Sequence, residues 1–203
     1  MSVSGTAAVT KRFGDEYTLG SVLDVGCGRG ALFQPLLEKA DKVHGIDLLN
    51  PPRLPERVTY EQTTIQDYTP EAPFDSAICS HVVEHMPDTE QFLNRFFSFI
   101  KDEGAWCIIW PPLKHQIVGG HVHIFNYGLM LYNIIRTGID CSSVKMFRSR
   151  YSEAIMGTKA TFDVPKLVYD RGDIEILSEW FPFDAKQNFH GFKGVGRVEP
   201  LID

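Results

Sequence analysis

The sequence predicts a doubly wound α/β domain with a mainly parallel sheet. Short apolar runs alternate with segments of helical spacing, a glycine-rich turn follows the first such run, and no internal repeat or low-complexity tract interrupts the order. A chain of 203 residues has room for one domain rather than two large folds. With 43% hydrophobic and 12% aromatic residues it needs neither disulfides nor a structural metal to build a core.

Each element has its own local reason. Residues 21–26 read as a buried strand running into glycines, and residues 31–40 show helical apolar spacing, with Pro35 in the first turns or at a kink. A second strand covers 42–47. Pro51, Pro52 and Pro55 mark a loop, residues 58–63 alternate as a third strand, and 74–80 form a fourth. Asp88 caps a helix reaching about Lys101, and a fifth strand over 104–110 stops at Pro111-Pro112. A loop containing glycine and histidine leads to a helix over 126–136. Residues 144–148 and 152–158 are strand-like and suit an antiparallel edge. In the tail, residues 173–180 suggest a helix stopped by Pro182, and Gly191, Gly194 and Gly196 suggest irregular cover.

Composition narrows the function. A net charge of −6, with neither half of the chain basic, disfavours duplex nucleic acid and anionic membrane as partners. Cys27, Cys79, Cys107 and Cys141 stand far apart without a CxxC pair and read as reduced thiols. The first residues lack a basic start followed by an apolar stretch, and no run approaches the ~20 apolar residues of a membrane span. A cytoplasmic protein is expected.

The sharpest local signal is Asp24-Val25-Gly26-Cys27-Gly28-Arg29-Gly30, between a strand and a helix. Glycines there permit positive φ and close approach of a ligand to the backbone, and the turn lies at the carboxyl edge of the sheet, where ligands bind in open α/β folds. Asp47, ending the second strand 21 residues after Gly26, suits a carboxylate accepting both hydroxyls of a ribose. A nicotinamide dinucleotide competes for this turn. Its pyrophosphate would meet the Asp24 carboxylate, whereas a methionine-bearing nucleoside brings an ammonium that an acid welcomes.

Residues 22–30, 44–47, 65–67 and 74–86, in that order and spacing, resemble the class I S-adenosylmethionine-dependent methyltransferases. The resemblance covers about residues 20–140. It implies a Rossmann-like methyltransferase fold with a seven-stranded sheet of order 3-2-1-4-5-7-6. It implies a cofactor-binding domain over 1–161, carrying a C-terminal extension over 162–203, with S-adenosyl-L-methionine as cofactor. By that resemblance Asp24, Gly26, Cys27, Gly28 and Gly30 surround its methionine end and Asp47 holds its ribose. Leu48 packs on the adenine, Gln66 and Asp67 lie at its amino group, and Ser80 with His81 closes the site. Gln66 stands where the family often has a small residue.

His81, Glu84 and His85 straddle the end of the fourth strand, and His121 and His123 follow the fifth. Part of this spacing is similar to ubiquinone-pathway O-methyltransferases and small-RNA 2′-O-methyltransferases, whose E-x-x-E-H segment and later acid or histidine hold a divalent ion. Here the first position is His81. A catalytic base at His85 or His123 is the alternative taken, the two converging near the transferable methyl, and no metal is assigned. Trp110, Phe125, Tyr127 and Tyr132 are candidates for the pocket wall, and residues 112–130 with the tail after 161 for its cover. The expected activity is methyl transfer to a small-molecule acceptor, oxygen ahead of nitrogen. The alternatives are a tRNA or small-RNA methyltransferase, kept by the basic residues Lys145, Arg148 and Arg150, a non-catalytic cofactor-binding subunit, and a nicotinamide oxidoreductase.

Overall fold

The computed structural model describes residues 3–50, 53–185 and 198–201. The glycines at 191, 194 and 196 and the prolines at 51 and 52 lie outside them. Five strands run parallel: β1 (Ser21–Val25), β2 (Lys42–Asp47), β3 (Val58–Gln62), β4 (Phe74–Ser80) and β5 (Ile100–Trp110). β6 (Lys145–Arg148) and β7 (Glu153–Thr158) form the antiparallel edge, and β8 (Val198–Pro200) adds a parallel strand beyond β6. The order is β3-β2-β1-β4-β5-β7-β6-β8. The expected seven-strand order is present, and the tail, left unplaced by sequence, supplies the eighth strand.

The helices are α1 (Val3–Glu16), α2 (Phe33–Leu37), α3 (Thr89–Ser98), α4 (Tyr127–Arg136) and α5 (Gly172–Ile176). Along β5 the side chains alternate between two cores, Trp106, Ile108 and Trp110 on one face and Ala105, Cys107 and Ile109 on the other. The first face takes Phe92 and Phe96 from α3 and Leu131, Ile134 and Ile135 from α4. The second takes Phe13 from α1 and Phe33 and Leu36 from α2. Asp88 and Asn126 cap α3 and α4 by accepting the backbone N–H three residues on, as such residues do at helix starts.

Five elements differ from the sequence reading. α1 was not foreseen: Gly5 and Gly14 blur its periodicity, yet Val9 and Phe13 are buried and Lys11–Asp15 and Arg12–Glu16 pair along its surface. α2 is shorter than 31–40, because Pro35 is tolerated only in a first turn. α3 ends at Ser98, and β5 begins at Ile100 rather than 104. The helix expected over 173–180 is α5 followed by a separate 3₁₀ turn, Ser178–Trp180. The described tail belongs to the same body: Leu177 and Phe181 enter the core, Trp180 stacks on Phe162 at 3.9 Å, and Tyr132 donates to Asp173 at 2.6 Å. Among the described residues no helix is long and apolar enough to cross a membrane.

Candidate functional site

The parallel strands bring their carboxyl ends, and the loops that follow, to one edge of the sheet. The turn after β1 is shaped by Gly26 and Gly28, with φ of +70° and +54°. A Cβ at Gly26 would lie 2.3 Å from Val82 Cγ2, whereas one at Gly28 would meet nothing within 4 Å. Gly26 therefore packs against the segment after β4, and Gly28 leaves its backbone open to a ligand. Cys27 is buried and its thiol is pushed upward by desolvation, so it serves as a wall and not as a nucleophile. Gly30 completes the turn by donating to the Cys27 carbonyl at 2.9 Å.

Two acids stand beside this turn. Asp24 is 1% exposed, neither carboxylate oxygen has a hydrogen-bond partner, and its pKa is pushed up to about 7 by burial and by the Asp47 charge. Asp47 is anchored instead: Gly28 donates to Oδ2 at 2.7 Å and Leu49 to Oδ1 at 2.9 Å. Each Asp47 oxygen keeps a lone pair for a further donor. An orphaned buried acid wants a cation, and an anchored acid beside an open glycine wants hydroxyls, so these residues fit S-adenosylmethionine, with its ammonium and ribose.

The proposed adenine side is looser. Leu48 is 68% exposed at the end of β2. Asp67 accepts from Thr64 Oγ1 at 2.7 Å, and the Gln66 carbonyl accepts from Arg95. Ser80 ends β4 opposite Ile109.

Past β4, a cavity of about 860 Å³ opens among Trp110, Phe125, Tyr151 and the histidine-bearing segments. Tyr127 and Tyr132, candidates for its wall, are committed elsewhere, to the Phe147 carbonyl and to Asp173. Residues 111–125 supply most of the lining, but the described tail supplies none, since it packs behind α4.

The histidines are arranged differently from the expectation. His121, not His123, sits against His85, ring centroids 4.9 Å apart and perpendicular. His123 turns its Nε2 to the Pro87 carbonyl at 3.2 Å, although it also lines the cavity. His85 Nδ1 lies 2.8 Å from the Gly120 carbonyl. A carbonyl only accepts, so Nδ1 carries the proton and a neutral His85 keeps its lone pair on Nε2. Glu84 is 1% exposed with neither oxygen hydrogen-bonded, and its own carbonyl accepts from Val122 and His123, tying the loop after β5 to this segment. Glu84, His85 and His121 each place one ligand atom within 4.8 Å of the others, a set able to hold a divalent ion. His81 is outside that set. Its Nε2 contacts Ser152 Oγ at 3.2 Å and its Nδ1 lies 3.4 Å from Glu84 Oε1. Ser152 was not foreseen, because a serine just before β7, distant in sequence, carries no signal of its own.

Residues 6–162 match a family described as a methyltransferase domain. Among curated proteins, the ubiquinone biosynthesis O-methyltransferase of Bradyrhizobium diazoefficiens is 33% identical over 112 residues, 48% of this chain and 44% of the relative. The mitochondrial enzyme of that name from Bos taurus is 32% identical over 101 residues, covering 43% and 27%. The matches thus span less than half the length of these relatives. Among solved structures, a 1,6-didemethyltoxoflavin-N1-methyltransferase from Burkholderia thailandensis with bound S-adenosylhomocysteine superposes with a TM-score of 0.65 at 19% identity, over 78% of this chain and 79% of that one. The magnesium protoporphyrin IX methyltransferase of Synechocystis PCC 6803 with bound S-adenosylmethionine gives 0.58 at 17%, over 78% of each. Fold, glycine turn, paired acids and family match agree: the chain belongs to the class I S-adenosylmethionine-dependent methyltransferases.

Proposed function

We propose that this protein methylates a hydroxyl of a small aromatic acceptor, using S-adenosyl-L-methionine. The observation that carries the reading is His85, whose Nδ1–H is spent on Gly120 so that Nε2 remains as a proton acceptor in a cavity walled by Trp110, Phe125 and Tyr151. The cofactor supplies, when bound, a methyl group on a sulfonium, an electrophile that needs no further activation. Asp24 and Asp47 then bind and orient, and His85 takes the proton of the attacking hydroxyl. The relatives named as O-methyltransferases support oxygen as acceptor. Lys145 and Arg148 are paired with Glu16 and Glu153, which favours a small acceptor over RNA. Four buried free thiols suit the cytoplasm.

The test is release of S-adenosylhomocysteine with a panel of phenols and catechols, with methyl ethers identified by mass spectrometry. Tight binding of NAD with no response to either sulfur nucleoside would overturn the reading. The Glu84, His85 and His121 cluster favours a second version, in which a divalent ion held there lowers the hydroxyl pKa. Loss of turnover in chelator, restored by a divalent ion, distinguishes it.

A further inference from the structure

His81 directly follows β4 and still holds its register, its N–H donating to the Ile109 carbonyl at 2.9 Å, yet its φ is +57°. A histidine with a left-handed backbone is strained, and such strain persists where the surroundings impose it, often beside a functional site. Nε2 is hydrogen-bonded, and Nδ1 stands 3.4 Å from a carboxylate oxygen without a hydrogen bond to it. Nε2 meets the hydroxyl of Ser152, itself 1% exposed and fixed by its N–H to Ser149 Oγ at 3.1 Å. Nδ1 faces the Glu84 carboxylate, which is equally buried and otherwise unpartnered.

We infer that His81 is a positioning residue for methyl transfer: anchored on Ser152, it holds the Glu84 carboxylate in place beside His85 and His121. The inference rests on the methyl-transfer reading. In this role neutral His81 carries its proton on Nδ1, toward Glu84, and Nε2 accepts from the Ser152 hydroxyl. Glu84 so held presents its oxygens beside His85 and His121 without itself touching the acceptor. The side chain thereby belongs to the acceptor side of the site. Its left-handed backbone carries one ring between the segment before β7 and the turn after β4.

The test compares His81→Ala, His81→Asn and Ser152→Ala in the full chain. Asparagine tolerates φ near +57° and keeps an N–H where Nδ1 was. Expected for His81→Ala is a fall in kcat of ~10–100-fold with S-adenosylhomocysteine affinity and acceptor KM within about twofold, with His81→Asn recovering part of the loss. Turnover of His81→Ala within about twofold of the parent overturns the inference. Affinity for S-adenosylhomocysteine lost in step with turnover also overturns it, assigning His81 to the cofactor. Nitrogen-15 spectra of the imidazoles read the same point without turnover: His81 is protonated on Nδ1, and Glu84→Gln shifts that signal. If no phenol is methylated but the signal shifts as expected, the acceptor assignment fails and the His81–Glu84 pairing stands. A proton on Nε2, or no shift, removes the pairing.

Discussion

The backbone N–H of Gly28 donates to Asp47 Oδ2 at 2.7 Å, so the acid expected to hold the ribose also ties the first turn to the end of the second strand. Asp47→Ala removes two prospective charge-assisted bonds to the ligand, about 1.5–3 kcal/mol each at most, and frees the N–H groups of Gly28 and Leu49. Weaker binding of both S-adenosylmethionine and S-adenosylhomocysteine is expected by calorimetry, with Asp47→Asn between alanine and the parent. Unchanged affinity in Asp47→Ala would remove the residue from the cofactor site.

Asp24 gives a pH dependence with a definite sign. Its folded pKa of about 7 exceeds the ordinary 3.8 through burial first and the Asp47 charge second, so the ligand-free fold binds more protons than the unfolded chain between those values. Stability of the ligand-free protein therefore falls as pH rises from about 4 to about 7. An ammonium beside Asp24 reverses the preference, so cofactor binding releases a proton near pH 7 and tightens as pH rises through it. Asp24→Asn should raise the melting temperature at pH 8, by roughly 2–4 °C per kcal/mol recovered, while weakening the cofactor. Calorimetry in buffers of different ionisation enthalpy reads the proton release directly.

His85→Ala should lower kcat by ~10²–10⁴-fold with cofactor affinity preserved. His121→Ala is expected to cost more than His123→Ala, because His121 is the ring packed against His85 and His123 is turned to Pro87. Equal and small effects of all three in steady-state kinetics, with chelator also without effect, would leave alignment alone as the catalytic device.

His44 predicts an acid limb in the stability curve. Its ring stacks on Tyr68 at 5.3 Å, Nδ1 bonds Thr59 Oγ1 at 2.7 Å, and Nε2 is buried without a partner, so desolvation holds its pKa below the ordinary 6.5. The unfolded chain takes up a proton as pH falls through about 6.5 while the fold resists, so stability declines below that pH. Thermal melts at pH 5 and 7 should differ by less in His44→Gln than in the parent.

The parallel strands and the glycine turn were legible because both depend on local pattern, and the strand order came with the family resemblance. Buried parallel strands are short apolar runs, and a turn with positive φ demands glycine, so residues 21–30 and 42–47 announce themselves. α1 was not legible, since its glycines dilute the helical period and its stability comes from Val9 and Phe13 packing on the sheet. β8 was not, because three residues have no pattern until β6 offers an edge.

By itself the sequence determined the fold class and the cofactor, which rest on residue type at fixed spacing along adjacent strands. Which histidines meet was decided only in three dimensions. His85 and His121 come together because the loop after β5 folds back to donate two N–H groups to the Glu84 carbonyl and turns a glycine carbonyl to His85. Ser152 reaches His81 because an antiparallel edge brings distant chain alongside β5. Such contacts depend on how loops close over a sheet, and backbone hydrogen bonds that any residue can supply leave no trace in the order of side chains.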